Sequence, residues 1–286
     1  MKILVTGVGG QLGYDVCKVL ADRGIEHRGV DIGDFDITDP LATHGYIAGY
    51  RPDAVIHCSA WTAVDRAEDE PEQCRAVNVD GTRNIAAVCK EIGAKMLYIS
   101  TDYVFPGIGE QFYEPEDPTG PLGTYGQTKL GGELAVQELL DRYFIVRISW
   151  VFGLNGNNFI KTMLKLAETR DEINVVNDQI GSPTYTADLA LLLCDMIVTG
   201  KYGVYHATNE GVCSWAEFAH EIFRLAGKNV KVNPILTSKY PTRAVRPLNS
   251  RLSKDKLERT GFSRLPSWQD ALARYLKEID EVKSGV

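Results

Sequence analysis

Tyr125 and Lys129 are the two side chains of this sequence best suited to proton transfer. They are four residues apart in a segment with helical periodicity, so both side chains project from one face of a helix. A phenol ordinarily has a pKa of about 10, and a nearby ammonium group favours the phenolate and lowers that pKa. Such a phenol can protonate the oxygen atom that becomes negative when a hydride reaches a carbonyl carbon. We therefore predict that Tyr125 and Lys129 are catalytic.

A hydroxyl-rich segment, residues 100–105 (Ser-Thr-Asp-Tyr-Val-Phe), follows a predicted strand just before that helix. Ligands bind at the carboxyl ends of strands in open α/β sheets. A hydroxyl at this place can donate a hydrogen bond to a substrate carbonyl oxygen, and the bond strengthens as charge develops. We assign this role to Thr101, and the alternative is a strand-end hydroxyl that caps a turn. A Tyr-x-x-x-Lys pair alone is often part of a solvent-exposed helix face. The hydroxyl of Thr101, in the segment just before this helix, favours a catalytic role for the pair.

Gly7, Gly10 and Gly13 lie between a predicted first strand and a predicted first helix. Gly7 permits the tight turn, Gly10 lets the backbone approach a pyrophosphate, and Gly13 allows close packing of helix and strand. The start of the helix offers free N–H groups and a positive dipole end to phosphate groups. Glycines also collect in ordinary turns and helix caps, but their place directly after a strand at residue 3 favours a dinucleotide site.

Asp31 ends the predicted second strand, where an acidic residue accepts hydrogen bonds from the adenosine ribose. A carboxylate there repels a 2′-phosphate, so Asp31 alone favours NADH over NADPH. The alternative is a cap of a turn or helix. Asp39, a few residues later, is interpreted as the cap of the next helix.

The elements that must position these residues alternate between short β-branched runs and longer amphipathic segments. This alternation predicts an α/β fold, a doubly wound, Rossmann-like parallel sheet with a smaller α/β carboxy-terminal substrate lobe. We expect a dinucleotide-binding domain over 1–148 and a substrate-binding lobe, interleaved with it, over 149–286. Strands are predicted at 3–6, 26–31, 54–58, 95–100, 144–148 and 203–207. Helices are predicted at 12–23, 72–92, 124–141, 158–168 and 187–197, with another opened by a capping box at 214–217 and a loop over 233–247.

The 286 residues carry a formal net charge of −7, which argues against binding to nucleic acid or an anionic membrane. The six cysteines show no C-x-x-C pair and no spacing typical of a zinc site, which favours reduced thiols. No apolar stretch approaches the ~18 residues of a membrane span, and the first residues lack the pattern of a signal peptide. We expect a cytoplasmic protein without a metal ion.

Several longer motifs add a specific resemblance, which extends to about residue 268. They are residues 61–68 (Trp-Thr-Ala-Val-Asp-Arg-Ala-Glu), 100–105, 147–153 (Arg-Ile-Ser-Trp-Val-Phe-Gly), 157–159 (Asn-Asn-Phe), 177–184 (Asn-Asp-Gln-Ile-Gly-Ser-Pro-Thr) and 246–250 (Arg-Pro-Leu-Asn-Ser). With the GxxGxxG spacing of the glycine turn, they resemble the dTDP-4-dehydrorhamnose reductase family of the extended short-chain dehydrogenase/reductases. The resemblance implies reduction of the C4 keto group of dTDP-4-dehydro-L-rhamnose, with NADPH or NADH, to dTDP-L-rhamnose.

The same resemblance implies roles for individual residues, and it is compatible with a homodimer. Thr101, Tyr125 and Lys129 would be the catalytic set, and Asp102 and Trp150 would face the sugar. Beyond the glycines and the catalytic pair, the residues along the dinucleotide would be Gln11, Leu12, Asp31, Asp36, Ile37, Ala60, Trp61 and Thr62.

Some residues depart from the family pattern, and one set of basic residues has two alternative roles. Residues 57–61 (His-Cys-Ser-Ala-Trp) stand where the family often has Asn-x-Ala-Ala-His, so Trp61 puts a larger ring beside the nicotinamide. Some relatives bind magnesium between subunits through an early glutamate, and the shorter Asp15 stands at that position here. A basic set could complement the diphosphate of the substrate or be a solvated surface; it comprises Lys239, Arg243, Arg246 and Arg251.

Two other functions fit the same motifs. A sugar-nucleotide 4-epimerase or dehydratase would use the same scaffold but regenerate its bound cofactor. A dehydratase would also favour an acid after Asp102, where this chain has Tyr103. A non-catalytic dinucleotide-binding regulatory subunit would not require Thr101, Tyr125 and Lys129 together.

Overall fold

The amino-terminal half alternates strands and helices, as its periodicity predicts. A computed structural model describes residues 1–284, with side chains through residue 282. The elements are β1 (Ile3–Thr6), α1 (Gln11–Asp22), β2 (His27–Val30), α2 (Pro40–Tyr50), β3 (Ala54–His57), α3 (Val64–Asp69), α4 (Pro71–Arg75), α5 (Thr82–Ile92), β4 (Lys95–Thr101), α6 (Thr124–Leu139) and β5 (Tyr143–Ile148). Asp39 caps α2, as expected, because its side chain accepts the backbone N–H groups of Leu41 and Ala42.

The second half contains shorter strands. Its elements are β6 (Val151–Phe152), α7 (Phe159–Leu166), β7 (Glu172–Val176), β8 (Ile180–Gly181), β9 (Thr184–Tyr185), α8 (Thr186–Ile197), β10 (Gly203–His206), β11 (Cys213–Ser214), α9 (Trp215–Leu225), β12 (Lys231–Ile235), β13 (Asn249–Ser250), α10 (Asp255–Arg259) and α11 (Trp268–Ser284). The capping box expected at Ser214 and Glu217 is present at the start of α9.

The main sheet is parallel, with strand order β10-β5-β4-β3-β1-β2. Successive residues of its strands point to opposite faces, so Ile3 and Val5 enter one core while Leu4 enters the other. Helices α1 and α8 cover the first face, and α2, α5 and α6 cover the second. The predicted doubly wound α/β fold is confirmed.

The carboxy-terminal lobe interleaves with this sheet. Strand β10 and helix α8 come from beyond residue 148 yet belong to the main sheet and its cover. The other late elements form a separate core, rich in aromatic side chains, with helices α7, α9 and α11 around it. Among residues 1–284, no helix is long and apolar enough to cross a bilayer.

Two predicted elements are corrected by the structure. The helix predicted over 72–92 is three segments, α4, a π-helical segment (Ala76–Gly81) and α5. The wider π turn coincides with Asn78, whose buried side chain bonds the backbone of Trp61 instead of continuing a regular helix face. The loop predicted over 233–247 is wrong at its start, because β12 pairs with β7 and continues through Pro234 to Ile235. Pro234 is tolerated because this two-stranded sheet has only edge strands.

Candidate active site

A cavity of about 940 Å³ opens at the carboxyl ends of the parallel strands. Its volume is near the upper end of the range for small-molecule sites. Nearly all of the residues that we predict to be functional from the sequence line this cavity. The expected residues that line it are Gly7, Gly10, Gln11, Leu12, Gly13, Asp31, Asp36, Ile37, Ala60, Thr62, Thr101, Asp102, Tyr125, Lys129 and Trp150.

The glycine turn between β1 and α1 has the geometry of a phosphate cradle. Gly7 has φ +73°, and the N–H of Gly10 donates to its carbonyl oxygen at 3.1 Å. Helix α1 begins after Gly10 without a side-chain cap, so among the described residues no side chain occupies its first N–H groups. Those N–H groups open on the cavity, where they and the helix dipole can hold a pyrophosphate. The turn therefore fits a dinucleotide.

Gly13 is predicted to be intolerant of substitution. A Cβ atom at position 13 would lie 2.3 Å from the carbonyl oxygen of Gly7, a backbone atom that cannot move without opening the turn. We expect Gly13→Ala to lower the free energy of unfolding by about 1–3 kcal/mol and to weaken cofactor binding. Thermal unfolding and a NADPH fluorescence titration measure these effects.

Gly49→Ala is the matched control for that prediction. Gly49 also lies in a helix, α2, but a Cβ atom there meets no atom within 4 Å. We expect this variant to be stabilised by about 0.5–1 kcal/mol, since alanine favours helix over glycine. Equal stability of the two variants would contradict the packing argument for Gly13.

Asp31 both faces the cavity and shapes the glycine turn. Its Oδ2 accepts the backbone N–H of Gly9 at 2.6 Å, and its Oδ1 accepts that of Ile32 at 2.8 Å. Asp36 accepts two hydrogen bonds from Thr38, and the buried Ile37 lies beside it on the cavity wall. The arrangement of a carboxylate after β2 and an apolar wall farther along suits a ribose and an adenine ring.

Two expected cofactor residues are placed differently from the expectation. The indole of Trp61 does not line the cavity within the described part of the chain; its N–H donates to the carbonyl oxygen of Ala63 at 3.2 Å, and Arg66 lies over its ring. Gln11 does line the cavity, but its side-chain oxygen accepts the N–H of Gly153 at 2.8 Å. Gln11 thus ties the glycine turn to the carboxy-terminal lobe, and the backbone of Trp61 is bonded to the side chain of Asn78.

Thr101 and Tyr125 meet on the cavity wall at the end of β4. The Thr101 hydroxyl donates to Asp102 Oδ1 at 2.9 Å and accepts the backbone N–H of Tyr103 at 3.3 Å, and Tyr125 lines the same wall. A hydroxyl has one proton and two lone pairs, so in this state the single Thr101 proton is already used in the bond to Asp102. Its expected donation to a substrate carbonyl oxygen requires exchange of the bond to Asp102.

The expected lowering of the Tyr125 pKa is not what the structure shows. Burial raises the pKa of this phenol well above its usual value, and the nearby carboxylate of Asp102 raises it further. Removal from water penalises the phenolate, and this is the largest effect on the pKa of the group. The Tyr125 phenol therefore keeps its proton at neutral pH and is a proton donor.

Lys129 lies one turn after Tyr125 on α6 and is 2% exposed. Its ammonium group donates to the carbonyl oxygen of Ile99 at 2.7 Å and lies over the ring of Tyr98. Burial lowers the pKa of Lys129 to about 7, while the carboxylate of Glu133, four residues on, opposes this shift. Lys129 is the single lysine or arginine side chain among the described residues of the cavity wall.

Asp102 is buried and held by the carboxy-terminal lobe. The hydroxyl of Ser250, on β13, donates to its Oδ2 atom. Burial raises the pKa of Asp102 to about 6, although the hydrogen bonds from Ser250 and Thr101 favour the carboxylate. Ser250 belongs to a motif that we quote for the resemblance, but nothing local in the sequence assigns it this contact, which joins residues 148 positions apart.

The other expected polar residues lie outside the cavity. Arg246 pairs with Asp65 at 2.5 Å and bonds the Tyr103 hydroxyl at the rim, and Arg243 pairs with Asp69. Within residues 1–284 neither these nor Lys239 and Arg251 line the cavity wall. The Asp15 carboxylate is buried and accepts the Thr186 hydroxyl at 2.5 Å, so it faces the protein interior.

Comparisons with known proteins agree with one another. The family model described as the RmlD substrate binding domain matches residues 1–281. A dTDP-4-dehydrorhamnose reductase of Streptomyces griseus is 43% identical over 276 residues, which are 94% of this chain and 91% of that protein. Among solved structures, the dTDP-4-dehydrorhamnose reductase of Clostridium acetobutylicum is 42% identical with a TM-score of 0.96, covering 98% of this chain and 100% of that one. The reductase of Bacillus anthracis in complex with NADP is 42% identical with a TM-score of 0.94, covering 97% and 99%.

Proposed function

Because the chain belongs to the RmlD substrate binding domain family, we propose that it reduces the C4 keto group of dTDP-4-dehydro-L-rhamnose to give dTDP-L-rhamnose. The resemblance that the sequence motifs carry is thereby confirmed. The observation that carries the proposal is that Thr101, Tyr125 and Lys129 line the same cavity as the glycine turn.

The reaction requires a hydride at carbon and a proton at oxygen. When bound, NADPH or NADH supplies the hydride from its reduced nicotinamide ring and is oxidised. The protein supplies the proton: the C4 carbonyl oxygen takes it from the Tyr125 hydroxyl while the C4–H bond forms. A general acid placed in this way contributes about 10²–10⁴-fold to the rate.

The state of the phenol favours reduction over the alternatives. A proton donor must hold its proton before the reaction, and the raised pKa of Tyr125 keeps it protonated at neutral pH. An epimerase begins by removing a proton from a sugar hydroxyl while a hydride leaves the same sugar carbon for the oxidised cofactor, and a phenolate would be the useful form for that proton transfer. Dinucleotide binding alone does not require Thr101, Tyr125 and Lys129 on one cavity wall, and their presence together weakens the regulatory-subunit alternative.

The remaining site residues have proposed roles that follow their places in the cavity. In its protonated form Lys129 places positive charge on the same cavity wall as the phenol, where negative charge develops, and this wall is the one that a nicotinamide ribose would contact. The domain over 1–148 is proposed to hold the dinucleotide, and the lobe over 149–286 to form the sugar site together with residues at the end of β4. Cofactor contacts are proposed for Gly7, Gly10, Gln11, Leu12, Gly13, Asp31, Asp36, Ile37, Ala60, Trp61, Thr62, Tyr125 and Lys129; the side-chain oxygen of Gln11 already accepts from Gly153, and the backbone of Trp61 is bonded to Asn78. Thr101, Asp102 and Trp150 are proposed to contact the sugar.

Asp31 should set the preference between the two cofactors. Asp31→Asn keeps an oxygen acceptor for the N–H of Gly9 but removes the negative charge that repels a 2′-phosphate. We expect the ratio of kcat/KM for NADPH to kcat/KM for NADH to rise about tenfold. Steady-state kinetics with both cofactors measure this ratio.

Asp36→Asn is the comparison variant, because Asp36 lines the same end of the cavity but is bonded locally to Thr38. It should weaken both cofactors alike and leave the ratio unchanged. An unchanged ratio in Asp31→Asn would show that the carboxylate does not face the 2′ position.

We also propose that the protein is cytoplasmic and forms a homodimer. The six cysteines are free thiols, which fits the reducing cytoplasm. A homodimer is proposed from the family resemblance alone, and sedimentation equilibrium at several protein concentrations tests it.

The function is tested by cofactor oxidation with a panel of nucleotide 4-keto sugars. We expect stoichiometric oxidation of NADPH or NADH with dTDP-4-dehydro-L-rhamnose and formation of dTDP-L-rhamnose. Absence of turnover with folded, cofactor-binding protein would overturn the proposal. Interconversion of a UDP-sugar without net cofactor consumption would instead identify an epimerase.

A further inference from the structure

Trp150 has a backbone conformation that large side chains rarely adopt. Its φ is +50°, in the left-handed region. Such a conformation persists only when surrounding contacts fix it, and it is common at ligand sites. Two contacts fix it from β8 and β9: Gly181 lies against the indole, and the N–H of Thr184 donates to the Trp150 carbonyl oxygen at 3.1 Å. A Cβ atom at position 181 would lie 2.9 Å from the indole, so that approach requires glycine.

Trp215 supports the same indole through an aromatic stack. The Trp150 and Trp215 rings are 3.8 Å apart between centroids and inclined by 15°. Phe159 packs against Trp215, with ring centroids 4.6 Å apart. Trp215 is the first residue of α9, whose start is fixed by the capping box of Ser214 and Glu217. The Trp150 side chain therefore rests on a rigid part of the carboxy-terminal lobe.

The stack lies beside the proposed reaction centre and away from the adenosine end. Thr101 on β4 is in register with Ile148 on β5, and Trp150 follows Ile148 by two residues, roughly 7 Å along an extended chain. Both tryptophans line the cavity. Asp31 follows β2, at the far edge of the sheet from β5. A ligand in contact with Trp150 is thus close to the Thr101 and Tyr125 hydroxyls.

We propose that Trp215 is a positioning residue that sets specificity for the sugar: it holds the Trp150 indole as a flat floor for the pyranose ring. The face of an indole carries partial negative charge, and the C–H face of a 6-deoxy sugar presents apolar surface with partial positive charge. This inference rests on the proposed function. It adds that sugar affinity depends on Trp215, while hydride and proton transfer do not.

The test separates KM from kcat in variants on both sides of the stack. Trp215→Ala should raise KM for the nucleotide sugar about tenfold, and Trp215→Phe about two- to threefold, because phenylalanine keeps part of the stack. In both variants kcat and KM for NADPH should stay within about twofold, since uniform binding is lost without transition-state stabilisation. Gly181→Ala, which would place a methyl group 2.9 Å from an atom of the Trp150 indole and so displace it, should show the same pattern.

Circular dichroism gives a readout that does not depend on turnover. Two stacked indoles couple their electronic transitions, so the coupled band should vanish in Trp215→Ala and Trp215→Phe. The control is Trp268→Phe, because Trp268 is also buried and packs on Phe218 of the same core but does not line the cavity among the described residues. It should retain the coupled band and normal KM values.

The outcomes distinguish this inference from the proposed function. Unchanged sugar KM in Trp215→Ala and Gly181→Ala, or a fall in kcat with unchanged KM, would overturn the role of Trp215. Parallel increases in KM for sugar and NADPH would also overturn it, since they would indicate a general distortion. Failure of the unsubstituted protein to reduce dTDP-4-dehydro-L-rhamnose would overturn the proposed function instead.

Discussion

Tyr125→Phe should lower kcat for the reduction by about 10²–10⁴-fold while NADPH still binds. The substitution removes the hydroxyl that protonates the C4 oxygen and changes the volume of the buried side chain very little. The Thr101 hydroxyl remains, but its proton is donated to Asp102, so it is a poor substitute. Single-turnover kinetics at saturating cofactor measure the loss directly, and NADPH fluorescence measures binding.

Tyr205→Phe controls for the loss of a buried phenol as such. Tyr205 is 1% exposed, lies on β10, and donates one hydrogen bond, to the carbonyl oxygen of Lys201 at 2.6 Å. We expect a small loss of stability and an unchanged kcat. If Tyr125→Phe retained more than a tenth of the original kcat, Tyr125 would not be the proton donor.

Glu133→Leu should lower the free energy of unfolding by about 3–5 kcal/mol. Glu133 on α6 and Arg147 on β5 form a buried pair, with Nε to Oε1 at 2.9 Å and Nη2 to Oε2 at 2.7 Å. Ser100 also donates to Glu133 Oε1, at 2.5 Å. Loss of the carboxylate leaves a guanidinium ion and a hydroxyl without their acceptor in the interior. Thermal unfolding should show a fall in Tm of about 10 °C.

The double variant Glu133→Leu/Arg147→Leu should recover much of that loss, because no uncompensated charge remains. The comparison pair is Arg83 and Glu138, which are 2.7 Å apart but largely exposed. Arg83→Ala should change the free energy of unfolding by less than about 1 kcal/mol, since solvent screens that pair. Similar losses for the exposed and buried pairs would refute the argument from burial.

Local chemistry explains which parts of the fold the sequence predicts well. The glycine turn, the Asp39 cap and the Ser214 capping box each depend on a few neighbouring residues, and all three are present. Strands β1, β3, β4 and β5 are largely apolar runs because the sheet buries both of their faces, whereas the edge strand β2 is polar and partly exposed. These features need no knowledge of the rest of the chain.

The carboxy-terminal lobe contains strand pairings and side-chain contacts that local sequence patterns do not predict. Strands β6, β8, β9, β11 and β13 have two residues each, too few for any periodicity. Their pairing depends on distant partners, as in the register of Asn249 with Ile180. The contact of Ser250 with Asp102 and the stack of Trp215 on Trp150 have the same origin.

The sequence predicts the location of the candidate site better than it predicts the pKa values of the site residues. Spacing places Tyr125 and Lys129 on one helix face, and the structure brings both into one cavity. Spacing does not report burial, which raises the pKa of the phenol and lowers that of Lys129. The orientation of Trp61 was also unpredictable, because it depends on the π turn and on Asn78.

The most direct test of the central claim follows hydrogen from the cofactor to the sugar. The purified protein is given dTDP-4-dehydro-L-rhamnose and NADPH that carries deuterium at both hydrogens of the nicotinamide C4 position, and the product is analysed by mass spectrometry and NMR. We predict one deuterium at sugar C4 for each NADPH oxidised, and loss of this transfer in Tyr125→Phe. A product without deuterium at C4, or a transformed sugar without net oxidation of NADPH, would contradict the account.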